Sequence, residues 1–469
     1  MTPRRGSPFA GPWGLLGLVL LVAIVFVLRS ATDIKAKGPV FDERWITRPM
    51  AELVRHGWSV DTAIDYQETK GPALIWPYAL WAGSLVDDPH EVVSPQRMAR
   101  DAPGIWESPL PGGPAPAPPL MLSVLRGMSM LCFVLGGLLL LVLARVCNVR
   151  GPPLLIVCVL YALLPYQLVF SQLVMGEASF VLLAIALLIA VCWGMGDGRR
   201  SVHRYMGPLL YGLLLWVALH NRLHALAFAP AVCLVAWQRE DLRSWPWWLA
   251  SLGAVLLRVP LWVRWGGPVT SDFQNVHGMG LRLESLTYLG AAMALPLGCF
   301  LLAWAMQHRR QRLQWLPVFG MGLGLLLAIV AMPDLTVPGS LDMSQQLDRY
   351  QGLAASLTLL AGGLGIPSGL MIAVLCAIGL GGLGALTTMA HRWRLTSLAS
   401  VVLRVQAFAL GAGWLLYSLT RGFVFDRYVM IWAVALPIAW LLLLPRWLLV
   451  LQTAALVIAA GLLIDNWLL

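Results

Sequence analysis

The chain has 469 residues, of which 59% are hydrophobic and 12% charged, and its mean hydropathy is +0.74. That balance excludes a soluble globular protein and describes a multi-span membrane protein. The formal net charge is +10, but the basic residues sit in alternate connecting segments as topological anchors do, so the excess gives no support for nucleic acid as a partner.

The chain begins with Arg4 and Arg5 ahead of an apolar run at 11–29. A basic start before an apolar run also marks a secretory signal, but Arg29-Ser30-Ala31-Thr32 is a poor cleavage site, so a retained first span is expected. Further apolar runs lie near 120–146, 152–170, 173–195, 206–220, 222–237, 245–263, 286–306, 315–332, 368–389, 405–420, 428–444 and 447–467. At roughly 17–25 residues per crossing, they predict about thirteen transmembrane helices in an all-α integral membrane protein. Arg145/Arg150, Arg199/Arg200/Arg204, Arg239/Arg243, Arg309/Arg310/Arg312, Arg392/Arg394 and Arg446 occupy every second connection. The positive-inside rule then places the N-terminus in the cytoplasm and the C-terminus outside. No soluble domain of ordinary size and no internal repeat is visible, so residues 1–469 read as one membrane domain.

Loop 30–119 is external on this topology and is the segment large enough to hold structure outside the lipid. Residues 43–57 mix Trp45, Ile46, Met50, Leu53 and Val54 with charges at helical spacing, which predicts an amphipathic helix on the membrane surface. Pro49 is expected to start or kink it, and Gly57 to end it. Residues 74–81 are apolar but too short to span, so they re-enter or lie along the interface. The proline-rich 109–119 is an extended linker. Two later external loops, 264–285 and 333–367, carry Asp272, His277, Arg282 and Glu284, and Asp334, Asp342, Asp348 and Arg349, and are placed to close over a site. All seven cysteines lie in or at the ends of spans, without disulfide or metal spacing. The Trp245-Pro246-Trp247-Trp248 cluster fits an interfacial aromatic belt.

Several polar residues converge at the external face: Asp42 and Glu43 after the first span, Lys70, Glu177 just inside the fourth span, the turn His220-Asn221-Arg222-Leu223-His224, and Asp426-Arg427-Tyr428. Sugar transfer from a polyprenyl phosphate needs these types. A carboxylate accepts the acceptor's proton, and cations hold the departing phosphate, Arg as a planar fork and Lys as a point charge. Structural readings stand beside each. Asp42 and Glu43 suit the start of a surface helix, Lys70 and Arg427 suit interfacial snorkelling, His220 and His224 suit a turn, and Arg258 suits either an interhelical contact or a lipid head group. A carboxylate inside a span is costly, so Glu177 favours function. Asp42 and Glu43 are ligand types for Mg²⁺ or Mn²⁺, but two such residues do not make a metal site.

Three landmarks in order carry a resemblance: Phe41-Asp42-Glu43-Arg44, then Ala51-Glu52-Leu53-Val54-Arg55-His56-Gly57-Trp58, then Lys70-Gly71-Pro72-Ala73-Leu74-Ile75-Trp76-Pro77. The chain resembles the GT-C superfamily of membrane glycosyltransferases, in the branch of protein O-mannosyltransferases and lipid A aminoarabinose transferases. That branch has an Asp-Glu pair in its first outer loop, an amphipathic helix ending near Gly-Trp, and a Lys-Pro-Pro before an aromatic stretch. Ser171 to Glu177 is similar to its second acidic position, Asn221-Arg222 to the turn after its fifth span, and Asp426-Arg427-Tyr428 to its late Arg-Tyr. The resemblance implies a catalytic base at Asp42 with Glu43 beside it, and substrate-binding positions at Lys70, Glu177, Arg222, Arg427 and Tyr428. Gly71 replaces the family's first proline, Arg44 and Arg48 displace its arginine, and Pro49 falls where its helix runs unbroken.

The expected function is therefore inverting transfer of a sugar from a polyprenyl-phosphate donor to a lipid, glycan or protein acceptor, outside a bacterial inner membrane. A transporter or flippase of lipid-linked sugar is the alternative from another class. It expects Gly- or Pro-broken spans in two matching halves and charges at mid-bilayer. An unrelated polymerase or ligase would instead place its reactive residues in 333–367.

Overall fold

In the computed structural model the described residues are 12–467 apart from 33, 35–36, 41, 67–69, 102–103, 109–111, 165, 197–202, 271–279, 308–313, 334–349, 393–396, 420–423 and 426. In lipid every backbone polar group must be satisfied within the chain, so apolar runs become helices. The first is α1 (Pro12–Ala31), and the loop after it carries α2 (Glu43–His56), α3 (Val60–Ala63), α4 (Pro72–Gly83) and α5 (Pro95–Arg100). There follow α6 (Pro119–Val146), α7 (Pro153–Ala162), α8 (Gln167–Phe170), α9 (Glu177–Met195), α10 (His203–Asn221), α11 (Phe228–Glu240), α12 (Trp245–Leu256) and α13 (Val259–Trp265). The last third contains α14 (Leu283–Ala292), α15 (Ala294–Met306), α16 (Trp315–Val330), α17 (Leu353–Gly363), α18 (Ser368–His391), α19 (Leu398–Tyr417), α20 (Arg427–Trp432), α21 (Leu436–Leu443) and α22 (Arg446–Trp467).

Seven helical stretches among the described residues are long and apolar enough to cross a membrane, or eight if the pair α14–α15, bent by 67°, is one span. The described residues are predominantly helical and the chain is an integral membrane protein, but helix length does not establish thirteen crossings. The runs expected at 152–170, 286–306 and 428–444 are each broken into two helices. Small residues let the late helices approach closely, as is usual in membranes. Gly320 and Gly324 of α16 meet the backbone of α18 at Leu380 and Ala377, where an added Cβ would collide.

The first loop packs on the helices rather than standing apart from them. Ile46, Met50 and Leu53 of α2 are buried with Leu74, Ile75 and Tyr78 of α4 in one cluster. Tyr78 Oη shares a 3.0 Å hydrogen bond with Ser129 Oγ of α6, and Trp81 Nε1 donates to the Val124 carbonyl at 3.1 Å. α2 ends at Gly57, whose N–H reaches the Leu53 carbonyl at a φ of 78°. The helix does not start at Pro49 but at Glu43, and it contains Pro49.

Among the described residues the two strands are β1 (Tyr350–Gln351) and β2 (Val424–Phe425), which pair in parallel. They bring residues 350–351, the end of the part of the third loop that precedes α17, beside the residues that precede Arg427. The second loop ends at the same segment, with Gly280 N donating to the Leu419 carbonyl at 2.9 Å and Arg282 N to the Ser418 carbonyl at 2.7 Å.

Candidate active site

The approach to Asp42 is shaped by Arg126 of α6, which is 1% exposed. Its Nε and Nη2 grip the two oxygens of Glu43 at 3.0 and 2.5 Å. Nη1 donates to the carbonyls of Ile34 and Lys37 at 2.6 and 3.1 Å, and Nη2 also to that of Gly38 at 2.8 Å. A guanidinium has five N–H donors, and all are committed to this loop. Glu43 accepts two backbone N–H groups as well, from Val174 at 2.7 Å and Val40 at 2.9 Å. Glu43, which the resemblance places beside the base, is fully buried, and its lone pairs are taken by four donors.

Asp42 occupies the N-cap of α2, yet its side chain makes no capping hydrogen bond. It accepts instead from Arg427 Nη2 at 2.8 Å, and its side chain is still 23% exposed. Burial alone would raise the carboxyl's pKa, but the charges of Arg427 and Lys70, the Arg427 hydrogen bond and Arg222 together hold it below the ordinary value. Asp42 is thus a partly accessible carboxylate kept ionised by cations.

Behind it, Glu177 opens α9 and is 1% exposed. Its Oε1 lies 3.0 Å from Arg222 Nη2 and 3.7 Å from Arg427 Nε, so one acid spans two arginines. Arg222 also donates to the Met175 carbonyl. Gly176 makes this possible: its φ is 80°, and a Cβ there would lie 2.7 Å from Leu74 Cδ2 and 3.4 Å from Arg222 Nε, so a side chain would meet both strain and crowding. Asn221 ties the arrangement to α9 through Ser179 Oγ at 3.0 Å. Tyr428 is buried and packs in a trio of rings, 4.9 Å from His224 and 4.7 Å from Tyr417, with those two 5.4 Å apart.

The half-buried Lys70 approaches Asp42 electrostatically, and its carbonyl accepts from Tyr66 Oη at 3.1 Å. The glycine that replaces proline after it has a structural cause. Gly71 N donates to the Asn221 carbonyl at 3.3 Å, a bond proline cannot make, and a Cβ at 71 would collide with the His220 carbonyl and come within 2.7 Å of Arg258 Nη1. Arg258 is 1% exposed, lies over the Trp265 ring at 5.3 Å, and its Nε and Nη1 have no hydrogen-bond partner. Beside its chain neighbours Leu257 and Pro260, α4, α10 and α13 line a half-open cavity of about 700 Å³, with Pro72, Ala73, Trp76, Trp216, Val217, His220 and Leu261 in its wall. Arg264, forked to Asp65 at 2.5 and 2.6 Å, also lines it.

Asp42, Glu177, Arg222 and Arg427 therefore meet in one cluster with Lys70 beside it, while Glu43 belongs to a separate clamp. Arg126 and the cavity beside Arg258 were not singled out from sequence, although an arginine inside an apolar run at 120–146 was a signal for the first. Asp272, His277, Asp334, Asp342, Asp348, Arg349 and Asp426 lie outside the described residues. Among the described residues no three His, Cys, Asp or Glu side chains group closely enough to hold a metal ion.

No family model matches the chain, and no curated protein is similar to it. Among solved structures, the crystal structure of ArnT from Cupriavidus metallidurans bound to undecaprenyl phosphate has a TM-score of 0.39 and 13% identity, over 97% of this chain and 80% of that chain. The apo state of ArnT gives 0.34 and 13%, over 94% and 77%. Likeness at these scores does not establish a shared fold.

Proposed function

We propose that the chain is a GT-C-type glycosyltransferase that moves a sugar from a polyprenyl-phosphate donor to a lipid, glycan or protein acceptor at the extracytoplasmic face of the membrane. The observation that carries the reading is an apolar cavity of about 700 Å³ lined by Leu257 and Pro260 on either side of Arg258, whose buried guanidinium has no hydrogen-bond partners at two of its nitrogens, in a molecule whose partly exposed Asp42 is kept ionised by Arg427 and Lys70. A cavity of that size and lining suits an apolar ligand. A buried cation without a counter-charge suits an anion joined to it.

In this reading the head-proximal part of the prenyl tail enters the cavity, and Arg258 and Lys70 hold the phosphate. The acceptor hydroxyl or amine attacks the anomeric carbon from the face opposite the phosphate, and Asp42 takes its proton. The bond between the anomeric carbon and the phosphate oxygen breaks, its electron pair leaves with the polyprenyl phosphate, and the sugar's configuration inverts. Arg427 keeps Asp42 ionised and aimed, with Glu177 and Arg222 fixing Arg427 from behind. Glu43 holds the loop and stays out of the chemistry. Donor-phosphate cations stabilise charge that develops only as the bond breaks, which is where electrostatic catalysis is strongest.

The test is transfer of radiolabelled sugar from a polyprenyl-phosphate pool by purified protein in liposomes, for wild type and Asp42→Asn. Loss of about 10²-fold or more, the contribution of a general base, is expected with folding unchanged. Equal transfer in both removes Asp42 from catalysis, and no transfer from any donor moves the weight to a transporter.

A further inference from the structure

Arg427 depends on more than its two carboxylates for its place. Its guanidinium carbon lies 5.4 Å from the centre of the Phe170 ring, within the range in which an aromatic face attracts a cation. Phe170 stacks in turn on Tyr166, with centroids 5.4 Å apart and planes 24° apart. Tyr166 has a φ of 69°, a conformation that bulky L residues rarely adopt and that persists where the surroundings fix it. Two contacts fix it here, the stacked ring and the phenolic oxygen, which accepts a buried hydrogen bond from Leu353 N at 3.2 Å. Leu353 opens α17 at the end of the third loop, two residues after β1. β1 pairs with β2, and β2 lies just before Arg427. The end of one loop thus reaches Arg427 by two routes, along the backbone through the strand pair and through Leu353, Tyr166 and Phe170.

We infer that Tyr166 is a positioning residue for Arg427: held by the Leu353 amide, it keeps the Phe170 ring beneath the guanidinium that pairs with Asp42. The site is then complete only when the end of the third loop is seated. The inference rests on the reading of Asp42 as the base, but the position of Arg427 can be followed without transfer. Asp42 is faced by Arg427, Lys70 and Arg222, and Arg427 by Asp42, Glu177 and Tyr428. Withdrawing Arg427 removes the nearest cation and leaves Lys70 and Arg222, so the carboxylate must take up a proton at higher pH than before.

The experiment is an infrared pH titration of the Asp42 carboxylate in the full-length protein in liposomes, its band assigned by its loss in Asp42→Asn. Tyr166→Phe removes the acceptor for Leu353 N and keeps the ring, and Phe170→Leu removes the aromatic face while keeping apolar volume. Both are expected to move the titration upward, Phe170→Leu further, and to lower the rate of transfer more than they raise KM. Thermal unfolding at the wild-type temperature excludes a general loss of fold. Titrations superimposable on wild type in both variants overturn the inference, and a shift in Phe170→Leu alone removes Tyr166 from it. If the titrations move as expected while Asp42→Asn still transfers sugar, the positioning stands and the assignment of the base fails.

Discussion

Replacing Arg126 with methionine tests whether the loop before Asp42 is held by one buried clamp. The substitution leaves the Glu43 carboxylate buried with only the Val40 and Val174 amides and strips the donor from the Ile34, Lys37 and Gly38 carbonyls. Breaking a buried ion pair from one side costs about 3–5 kcal/mol, because the remaining charge is uncompensated. Glu43→Met falls in the same range from the other side. Replacing both with methionine removes the stranded charge, and apolar replacement of a whole buried pair is often close to neutral. The double variant is therefore expected to be far more stable than the sum of the singles, with a coupling of at least about 3 kcal/mol in a double-mutant cycle. Because the three carbonyls have still lost their donor, it is expected to fold yet transfer sugar poorly. Denaturant unfolding in micelles and the transfer assay read the two halves. Additive single effects, or full transfer by the double variant, refute the clamp.

Gly71→Ala is expected to lower folded yield sharply, since its Cβ meets the His220 carbonyl. Gly71→Pro loses the Asn221 bond as well, and monodisperse wild-type-like protein from either would contradict the close packing. Leu261→Trp, which fills the cavity beside Arg258, is expected to raise KM for the lipid donor at least several-fold while leaving unfolding temperature nearly unchanged. An unaltered KM would show that the tail binds elsewhere. Asp42 has its folded pKa lowered, so its ion pair adds stability above the unfolded carboxyl's pKa, and that stability is lost as pH falls through the lower folded value. Wild-type transfer is accordingly expected to keep its rate down to the ordinary carboxylate range, about 3.9 for Asp, before the acid limb begins. A limb near neutrality would point to another group as the base.

What could be read in the sequence follows the cost of burying charge. Glu177, Arg222 and Arg427 stood out because ionised groups beside apolar spans must find partners, and the structure brings them together. Arg126 carried the same signal, but nothing in the run 120–146 tells a clamp from a snorkelling arginine. Position and residue type alone could not separate Asp42 from Glu43, since both are carboxylates at the start of one helix, and only the resemblance put the base at Asp42. Successive helical residues point about 100° apart, and that turn sends one to Arg427 and the other to Arg126. The breaks at 152–170, 286–306 and 428–444 were hidden for a related reason. Apolar content sets where a helix can form, while packing decides where it bends. The cavity is made by α4, α10 and α13, far apart in the chain, and has no local signature.

The Asp42–Arg427 pair joins residues 385 positions apart. At about 5–20 residues per second of synthesis, the acid waits roughly 20–80 s at the membrane before the ribosome delivers its partner. Through that interval the first loop can fold onto α6 by way of Arg126, but Asp42 has no late arginine to keep it ionised and aimed. On the proposed function, catalytic competence would therefore be reserved for chains whose insertion is nearly finished, and a chain stalled or clipped ahead of α20 would be inert.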